Sequence, residues 1–170
     1  MHPGIGSALQ DTAWLSETVP AAEVKRLQDA FTNRPPDVLK KARDFYGVQA
    51  RNLKKLNDAG VRIGFGTDSG VTVGWTAHEE LSDMVMAGMT PAQVIVAATK
   101  TSAGILKLDQ LGTVAPGKSA DFVVLNANPL ENIANTRKIY KVYLRGQEVD
   151  RARLRSNWEA QWNGIAQPQR

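Results

Sequence analysis

Residues 61–68 read V-R-I-G-F-G-T-D and alternate large apolar side chains with arginine, glycine and aspartate. A period of two is typical of a β-strand, because successive side chains of a strand point to opposite faces. One face would consist of four side chains, those of Val61, Ile63, Phe65 and Thr67. Asp68 would end the opposite face, beyond Gly64 and Gly66. The run therefore predicts a strand with one apolar face and a carboxylate at its C-terminal end.

A helical pattern precedes this strand. Apolar residues recur every three or four positions between residues 37 and 56, with lysine and arginine on the opposite side. Gly60 is well placed to end that helix, and residues 21–31 fit a shorter one. A helix followed by a short turn and a strand is the repeating unit of α/β proteins.

Helix-start signals follow the strand. The pattern T-x-x-E at residues 76–79 predicts a capping box, whose side chains satisfy the first free amides of a helix that runs to about residue 87. Residues 90–93, T-P-A-Q, predict the start of a second helix because they combine an N-cap, a first-position proline and a glutamine. Residues 102–106 fit a third, shorter helix.

Beyond residue 111 the pattern changes to short strands. The predicted elements are a turn at 116–117, strands at 121–125 and 140–144, and a second turn at 146. The last stretch carries Trp158 and Trp162, four residues apart. It is either a helix that packs on another element or a frayed tail.

The composition excludes several classes of protein. Cysteine is absent and the only histidines are His2 and His78, so disulfides are excluded and a metal would need His, Asp or Glu ligands. The sequence has no apolar run of roughly 18 residues, as a membrane span needs, and no signal-peptide pattern. We therefore expect a soluble globular protein without a membrane partner, and its compartment is not specified.

The formal net charge is +4, and the basic residues are concentrated at 34–55 and 137–155. Two solvated faces explain such clusters most simply. Binding to a nucleic acid would need the bases on one surface with aromatic side chains between them, and the sequence carries no recognition motif of that kind. We therefore expect no nucleic-acid partner.

Asp68 is the residue that points most directly to chemistry. In a parallel β/α barrel, inward side chains at the C-terminal ends of the strands line the active site. Asp68 has that position, and the two glycines before it leave space inside the barrel. The alternative is that Asp68, within T-D-S-G, only caps a turn, as aspartate often does. The spacing alone leaves both interpretations open.

Four stretches of the sequence resemble the closing portion of amidohydrolase superfamily enzymes, with imidazolonepropionase-like and Xaa-Pro dipeptidase-like members nearest. They are GVRIGFGTDSG at 60–70, HEELSDMVMAGMTPAQVIVAATKTSAGIL at 78–106, LGTVAPGKSADFVVLNANPLENI at 111–133 and KVYLRGQEVD at 141–150. The resemblance covers roughly residues 48–149, in order and nearly without gaps.

The resemblance implies an α/β fold, namely the C-terminal fragment of a (β/α)8 TIM-type barrel with strands of an accessory β-sandwich. In that family the G-T-D motif ends the eighth barrel strand, so Asp68 is implied to be both a metal ligand and the catalytic general base. The implied cofactor is a divalent metal, zinc by resemblance. The implied reaction is hydrolysis of a carbon–nitrogen bond in a small-molecule substrate such as a cyclic amide or imidazolone-like ring, or in a dipeptide.

The other metal ligands of the family have no counterpart in this sequence, which lacks a His-x-His pair. A β/α barrel also needs about 250 residues. We therefore expect the chain to be an incomplete part of the enzyme, whose partner is an N-terminal half with the missing ligands. The chain by itself should be inactive, because a catalytic zinc takes about three protein ligands.

Three other side chains close to Asp68 are candidates for the site. Ser69 lies in the loop that would overhang it and Trp75 would line its mouth, which makes both candidate substrate-binding residues. A plain loop role for Ser69 and a packing role for Trp75 are the alternatives. His78 is a metal ligand by type, but its position at a helix start beside two glutamates argues against that role.

The expected domains are residues 1–110, with the last strand and helices of the barrel, residues 111–150, a β-sandwich segment, and residues 151–170, a C-terminal tail. Two other classes of function stay open, a non-catalytic binding or assembly module derived from such a hydrolase and, less favoured, a basic nucleic-acid-binding domain. A homo-oligomer is compatible with the sequence. Unmatched apolar faces and strand edges predict that the isolated chain aggregates.

Overall fold

A computed structural model describes residues 19–68 and 74–165 of the chain. Its α-helices are α1 (Ala21–Thr32), α2 (Pro36–Asp58), α3 (Trp75–Met86), α4 (Pro91–Val96), α5 (Ser102–Ile105) and α6 (Arg151–Ile165). A π-helical turn (Ala97–Thr101) joins α4 to α5, and a 3-10 helix (Ile133–Arg137) lies between the first two strands. The strands are β1 (Phe122–Leu125), β2 (Ile139–Leu144) and β3 (Gln147–Glu148). The predicted mixture of helices and strands is confirmed.

The chain divides into two compact units. The larger unit is Lys41–Val149, which holds most of α2, helices α3 to α5 and all three strands. The smaller unit comprises, as far as the structure describes it, residues 19–40 and 150–165, and Val24 is buried in it. The domain boundaries predicted at residues 110 and 150 stay predictions.

Local signals set the ends of the helices. The capping box at Thr90 is confirmed, because Gln93 N–H donates to Thr90 Oγ1 at 3.2 Å and Thr90 N–H donates to Gln93 Oε1 at 2.8 Å. Pro91 occupies the first helical position after it. At the end of α2, Gly60 has a φ of +73° and its N–H donates to Asn57 O, as a terminating glycine should.

The strand predicted at residues 61–67 is not formed, and this segment has no regular secondary structure. A strand is stabilised by backbone hydrogen bonds to a neighbour, and among the described residues the sheet contains only β1, β2 and β3. The prediction was wrong for that reason. The alternation behind it holds from residue 62 onward, whereas Val61, predicted on the apolar face, is 49% exposed. The half-buried side chains are those of Ile63, Phe65 and Thr67, and the exposed residues between them are Arg62, Gly64, Gly66 and Asp68.

The core of the larger unit lies among α3, α4, the π-helical turn and the 3-10 helix. Its buried members are Leu81, Met84, Met89, Val94, Ala97 and Ile133. Ile63 and Phe65 pack against this cluster. Burial of a large aliphatic side chain contributes roughly 1.5–3 kcal/mol, so the cluster holds the apolar side of residues 61–68 in place.

The two longer strands form where the sequence predicted them, as an antiparallel pair in which Phe122 lies opposite Tyr143. The rings of these two residues stack with their centroids 4.7 Å apart. β3 pairs with the far edge of β2 through a turn that has positive φ at Arg145 and Gly146. Two such residues in succession are typical of a tight β-hairpin. A single sheet is one layer of a sandwich, so the predicted β-sandwich stays a prediction.

The described part of the last stretch, residues 151–165, forms the helix α6. Its described side chains, at residues 151–161, are all exposed, with Leu154 at 50% and Trp158 at 47%. The side chain of Trp162 lies outside the described residues. None of the helices in the described ranges combines the length and the apolar character that crossing a membrane requires.

Candidate active site

We call residues 61–68 the Asp68 segment. Asp68 is its last residue, and it is exposed. Its φ of +46° is in the left-handed region, which aspartate adopts more readily than most residues. Because Ile63 and Phe65 are half-buried on the other side, the carboxylate is on the open side of the segment, as the alternation predicted. Ser69, the next residue, lies outside the described residues, and its proposed substrate contact stays a prediction.

A serine fixes the backbone of the Asp68 segment. Phe65 N–H donates to Ser102 Oγ at 2.9 Å, and the Ser102 hydroxyl donates to Ala97 O at 2.8 Å. A Cβ on Gly64 would lie 2.9 Å from Ile105 Cδ1, the tip of a flexible side chain, so the segment and α5 approach closely at this point. The segment is therefore held directly against the π-helical turn and α5.

Helix α3 begins at Trp75, after residues 69–73 in the chain. The capping box predicted at residues 76–79 is wrong, because the N-cap is Gly74, with a φ of +89° and no side-chain hydrogen bond to the helix. Glu79, the expected capping partner, instead forms an ion pair with Arg137. Trp75 is half-buried, and its indole Nε1 is buried without a hydrogen-bond partner among the described residues. The packing role and the substrate contact of Trp75 both stay predictions.

His78 faces the 3-10 helix. Its Nδ1 lies 3.0 Å from Thr136 Oγ1, and the Thr136 hydroxyl donates its proton to Ile133 O at 2.8 Å. Which of the two groups donates in the first contact depends on the ring nitrogen that carries the proton. Burial, and next the charge of Arg137, lower the pKa of His78 from 6.5 to about 4. The ring is neutral at physiological pH.

Glu79 and Arg137 form an ion pair that is largely enclosed, with 18% of each side chain exposed. The next residue, Glu80, has its pKa raised by burial and by the nearby charge of Asp83. The first two turns of α3 therefore carry an ion pair, a neutral imidazole and a carboxylate that ionises less readily than usual.

These residues do not form a metal site on their own. Within residues 19–68 and 74–165, no group of three His, Cys, Asp or Glu side chains could hold a metal ion. Asp68 is a suitable ligand by type and exposure, but His78 is turned to Thr136 and does not join it in such a group. The described part of the chain therefore does not fit a catalytic metal, which takes about three protein ligands.

A largely apolar cavity of about 750 Å³ lies among α3, the π-helical turn, β1 and β2. His78, Asp121 and Tyr143 contribute polar atoms to its lining. The Asp121 carboxylate accepts hydrogen bonds from Ser119 Oγ and from Arg145 N–H, so it braces the turn after β2. No local pattern in the sequence predicts this cavity, because its lining comes from residues as far apart as 78 and 143.

Sequence patterns did not identify three polar residues that make long-range contacts in this region. Ser102 bonds a backbone group 37 residues away, and Thr136 and Arg137 each contact a side chain 58 residues away. Motif and periodicity arguments cover neighbours within about one helical turn. A serine or arginine that reaches across the fold carries no local signal.

The comparisons of this chain with known proteins agree on one family. The family model for the amidohydrolase family matches residues 1–149. The imidazolonepropionase of Deinococcus deserti is 32% identical over 93 residues, which are 53% of this chain and 23% of that protein. The adenine deaminase of Desulfitobacterium hafniense is 41% identical over 64 residues, which are 38% of this chain and 10% of that protein.

Solved structures agree with the sequence relatives. A Xaa-Pro dipeptidase with bound methionine in its active site superposes with a TM-score of 0.55 and 27% identity, over 84% of this chain and 32% of that one. Phenylurea hydrolase B superposes with a TM-score of 0.52 and 33% identity, over 61% of this chain and 26% of that one. The chain thus spans a third or less of the length of these relatives. With a family model matched over most of its length, this chain belongs to the amidohydrolase family.

Proposed function

We propose that the chain supplies the closing part of a metal-dependent hydrolase that acts on carbon–nitrogen bonds, with Asp68 as the carboxylate at the reaction centre. One observation carries the proposal, the exposed position of Asp68 at the end of a segment whose opposite face is packed on the core. The 2.9 Å hydrogen bond from Phe65 N–H to Ser102 Oγ holds the segment that ends in this carboxylate.

Asp68 is suited to proton transfer. As an exposed carboxylate it can accept a proton from an attacking water and return that proton to the leaving nitrogen. A positioned group of this kind contributes about 10²–10⁴ to the rate of a hydrolysis. The proposed substrates are a cyclic amide, an imidazolone-like ring or a dipeptide, in line with relatives named as an imidazolonepropionase and a Xaa-Pro dipeptidase.

A divalent metal, zinc by resemblance to the family, belongs to the proposal. Asp68 cannot hold it alone, so we propose that the other ligands come from a further portion of the same enzyme. On this proposal the 170-residue chain neither binds the metal tightly nor turns over substrate by itself.

The test is Asp68→Asn in the complete enzyme, assayed against Xaa-Pro dipeptides, cyclic amides and imidazolone-type rings. Turnover should fall by about 10²–10⁴, because the substituted amide cannot accept a proton. Asp58→Asn is the matched control, since Asp58 is also exposed but pairs with Lys54 on α2, and it should leave turnover unchanged. An Asp68→Asn enzyme as active as the control would exclude Asp68 from the chemistry.

A further inference from the structure

The main chain of the Asp68 segment is held by a side chain. The segment has no regular secondary structure, and among the described residues the sheet contains only β1, β2 and β3. Its backbone N–H groups therefore need partners other than an adjacent strand. The N–H of Phe65 donates to Ser102 Oγ at 2.9 Å, in a partly buried contact between residues 37 positions apart. The serine oxygen thus accepts a hydrogen bond that a strand carbonyl would otherwise accept.

The Ser102 hydroxyl is fixed in the orientation that this contact needs. Its proton is donated to Ala97 O at 2.8 Å, so the lone pairs of the oxygen are left for the Phe65 N–H. Ser102 is half-buried and begins α5 directly after the π-helical turn. A hydroxyl held by a second hydrogen bond is a more rigid acceptor than one that rotates freely.

Other contacts also hold the Asp68 segment. Ile63 and Phe65 pack their side chains against the core cluster, and Thr67 makes a further interaction of its own. The packing of Ile63 and Phe65 restrains side chains, whereas Ser102 restrains the main chain at Phe65. Ser102 is therefore one of several anchors, and its loss should loosen the segment without releasing it.

We propose that Ser102 is a positioning residue for Asp68. Phe65 lies three residues before Asp68, and the structure describes the whole stretch between them. The hydrogen bond therefore acts on the carboxylate through at most roughly 10 Å of main chain. Without it, the main chain at Phe65 has more freedom and the carboxylate occupies its productive position for less of the time. This inference rests on the proposed function in one respect, that Asp68 is the carboxylate at the reaction centre.

A positioning role predicts a particular kinetic effect. Ser102 acts on the carboxylate rather than on the substrate, so Ser102→Ala should lower kcat and leave KM within about twofold. A misplacement of about 1 Å can cost about 10²-fold in rate. Because the other anchors remain, kcat should fall by about tenfold. Ser102→Thr keeps the hydroxyl and should recover most of the loss.

The test uses the complete enzyme and combines kinetics with hydrogen exchange followed by mass spectrometry. In Ser102→Ala the Phe65 amide, resolved by fragmentation of the peptide that covers residues 61–68, should exchange about tenfold faster because its acceptor is lost. A peptide that covers residues 81–94 of the core cluster should exchange as before. The exchange measurement needs neither substrate nor metal, and it separates loosening of the segment from general destabilisation.

The matched control is Ser82→Ala. Ser82 is also half-buried on a helix, and its hydroxyl donates to His78 O at 3.0 Å, a bond that stays within α3. The control should leave kcat and the exchange of the Phe65 amide unchanged. The positioning role is overturned if Ser102→Ala keeps the kcat of the control, or if KM changes in place of kcat. It is also overturned if kcat falls while the Phe65 amide keeps its exchange rate, or if the core peptide accelerates as much as that amide. An active Asp68→Asn enzyme would instead contradict the proposed function, and the exchange result would be unaffected.

Discussion

Acidification should destabilise the protein through His78. Its pKa is about 4 in the folded chain, against 6.5 for an unperturbed histidine. Between those two values the unfolded chain binds more protons than the folded chain, so the free energy of unfolding rises with pH in this window. The stability that the neutral imidazole contributes is thus fully present above pH 6.5 and is lost as the pH falls toward 4. Below pH 4 His78 causes no further change in the free energy of unfolding.

The magnitude follows from the same two pKa values. At about 1.36 kcal/mol per pH unit, the complete loss corresponds to about 3.4 kcal/mol. At about pH 5 the two pKa values alone would lower the free energy of unfolding by about 2 kcal/mol. Because the ring is only half-buried, solvent screening reduces this decrease to about 1 kcal/mol. That is a measurable part of the stability of a small domain.

The assay is urea unfolding at about pH 7.5 and about pH 5, with His78→Gln as the reference. Glutamine stays neutral and can still hydrogen-bond to Thr136 Oγ1, so carboxylate titration affects both proteins and cancels in the comparison. The natural chain should lose about 1 kcal/mol more than the variant on acidification. Equal losses in the two proteins, or an imidazole that titrates near pH 6.5 in the folded state, would refute the reasoning.

Two further predictions concern the fold. Gly112→Ala should cost about 2–4 kcal/mol in urea unfolding, because φ is +82° and the added Cβ would lie 2.7 Å from Ala103 Cβ and 2.8 Å from Thr99 O. Gly117→Ala, with φ of +79° but no atom within 4 Å, should cost only about 1–2 kcal/mol, and equal costs would show that the close contact does not matter. The isolated chain should also self-associate in size-exclusion chromatography, because Val114 at 83% and Phe45 at 62% leave large apolar side chains in water. A monomeric peak with a cooperative melt would contradict that expectation.

Local hydrogen bonds account for what the sequence predicted correctly. The capping box of Thr90 and Gln93 and the end of α2 at Gly60 each involve partners only a few residues apart. The alternation likewise predicted which side of residues 62–68 is buried, and Val61 is the exception because it is exposed. Side-chain periodicity reports the direction of burial even where no sheet forms, since it depends only on the core that the residues face.

Long-range partners account for what the sequence did not predict. A strand at residues 61–67 needs a neighbour that the described residues do not supply. The T-x-x-E pattern at 76–79 failed because Glu79 has a stronger partner in Arg137, 58 residues away. Charge-assisted pairing in a partly enclosed position outcompetes an exposed cap, and only the folded chain brings the two groups together.

The π-helical turn at Ala97–Thr101 has a consequence for how this part of the chain tolerates change. A π turn takes up one additional residue, which rotates everything after it by about 100° relative to an uninterrupted α-helix. Ser102 is the first residue past the turn, and that rotation aims its hydroxyl at the Phe65 amide. Removing a single residue here would rotate α5, so that the Ser102 hydroxyl would turn away from the Phe65 amide. The number of residues in this turn, more than their identity, therefore sets whether Ser102 can hold the segment that carries Asp68 in a fixed position.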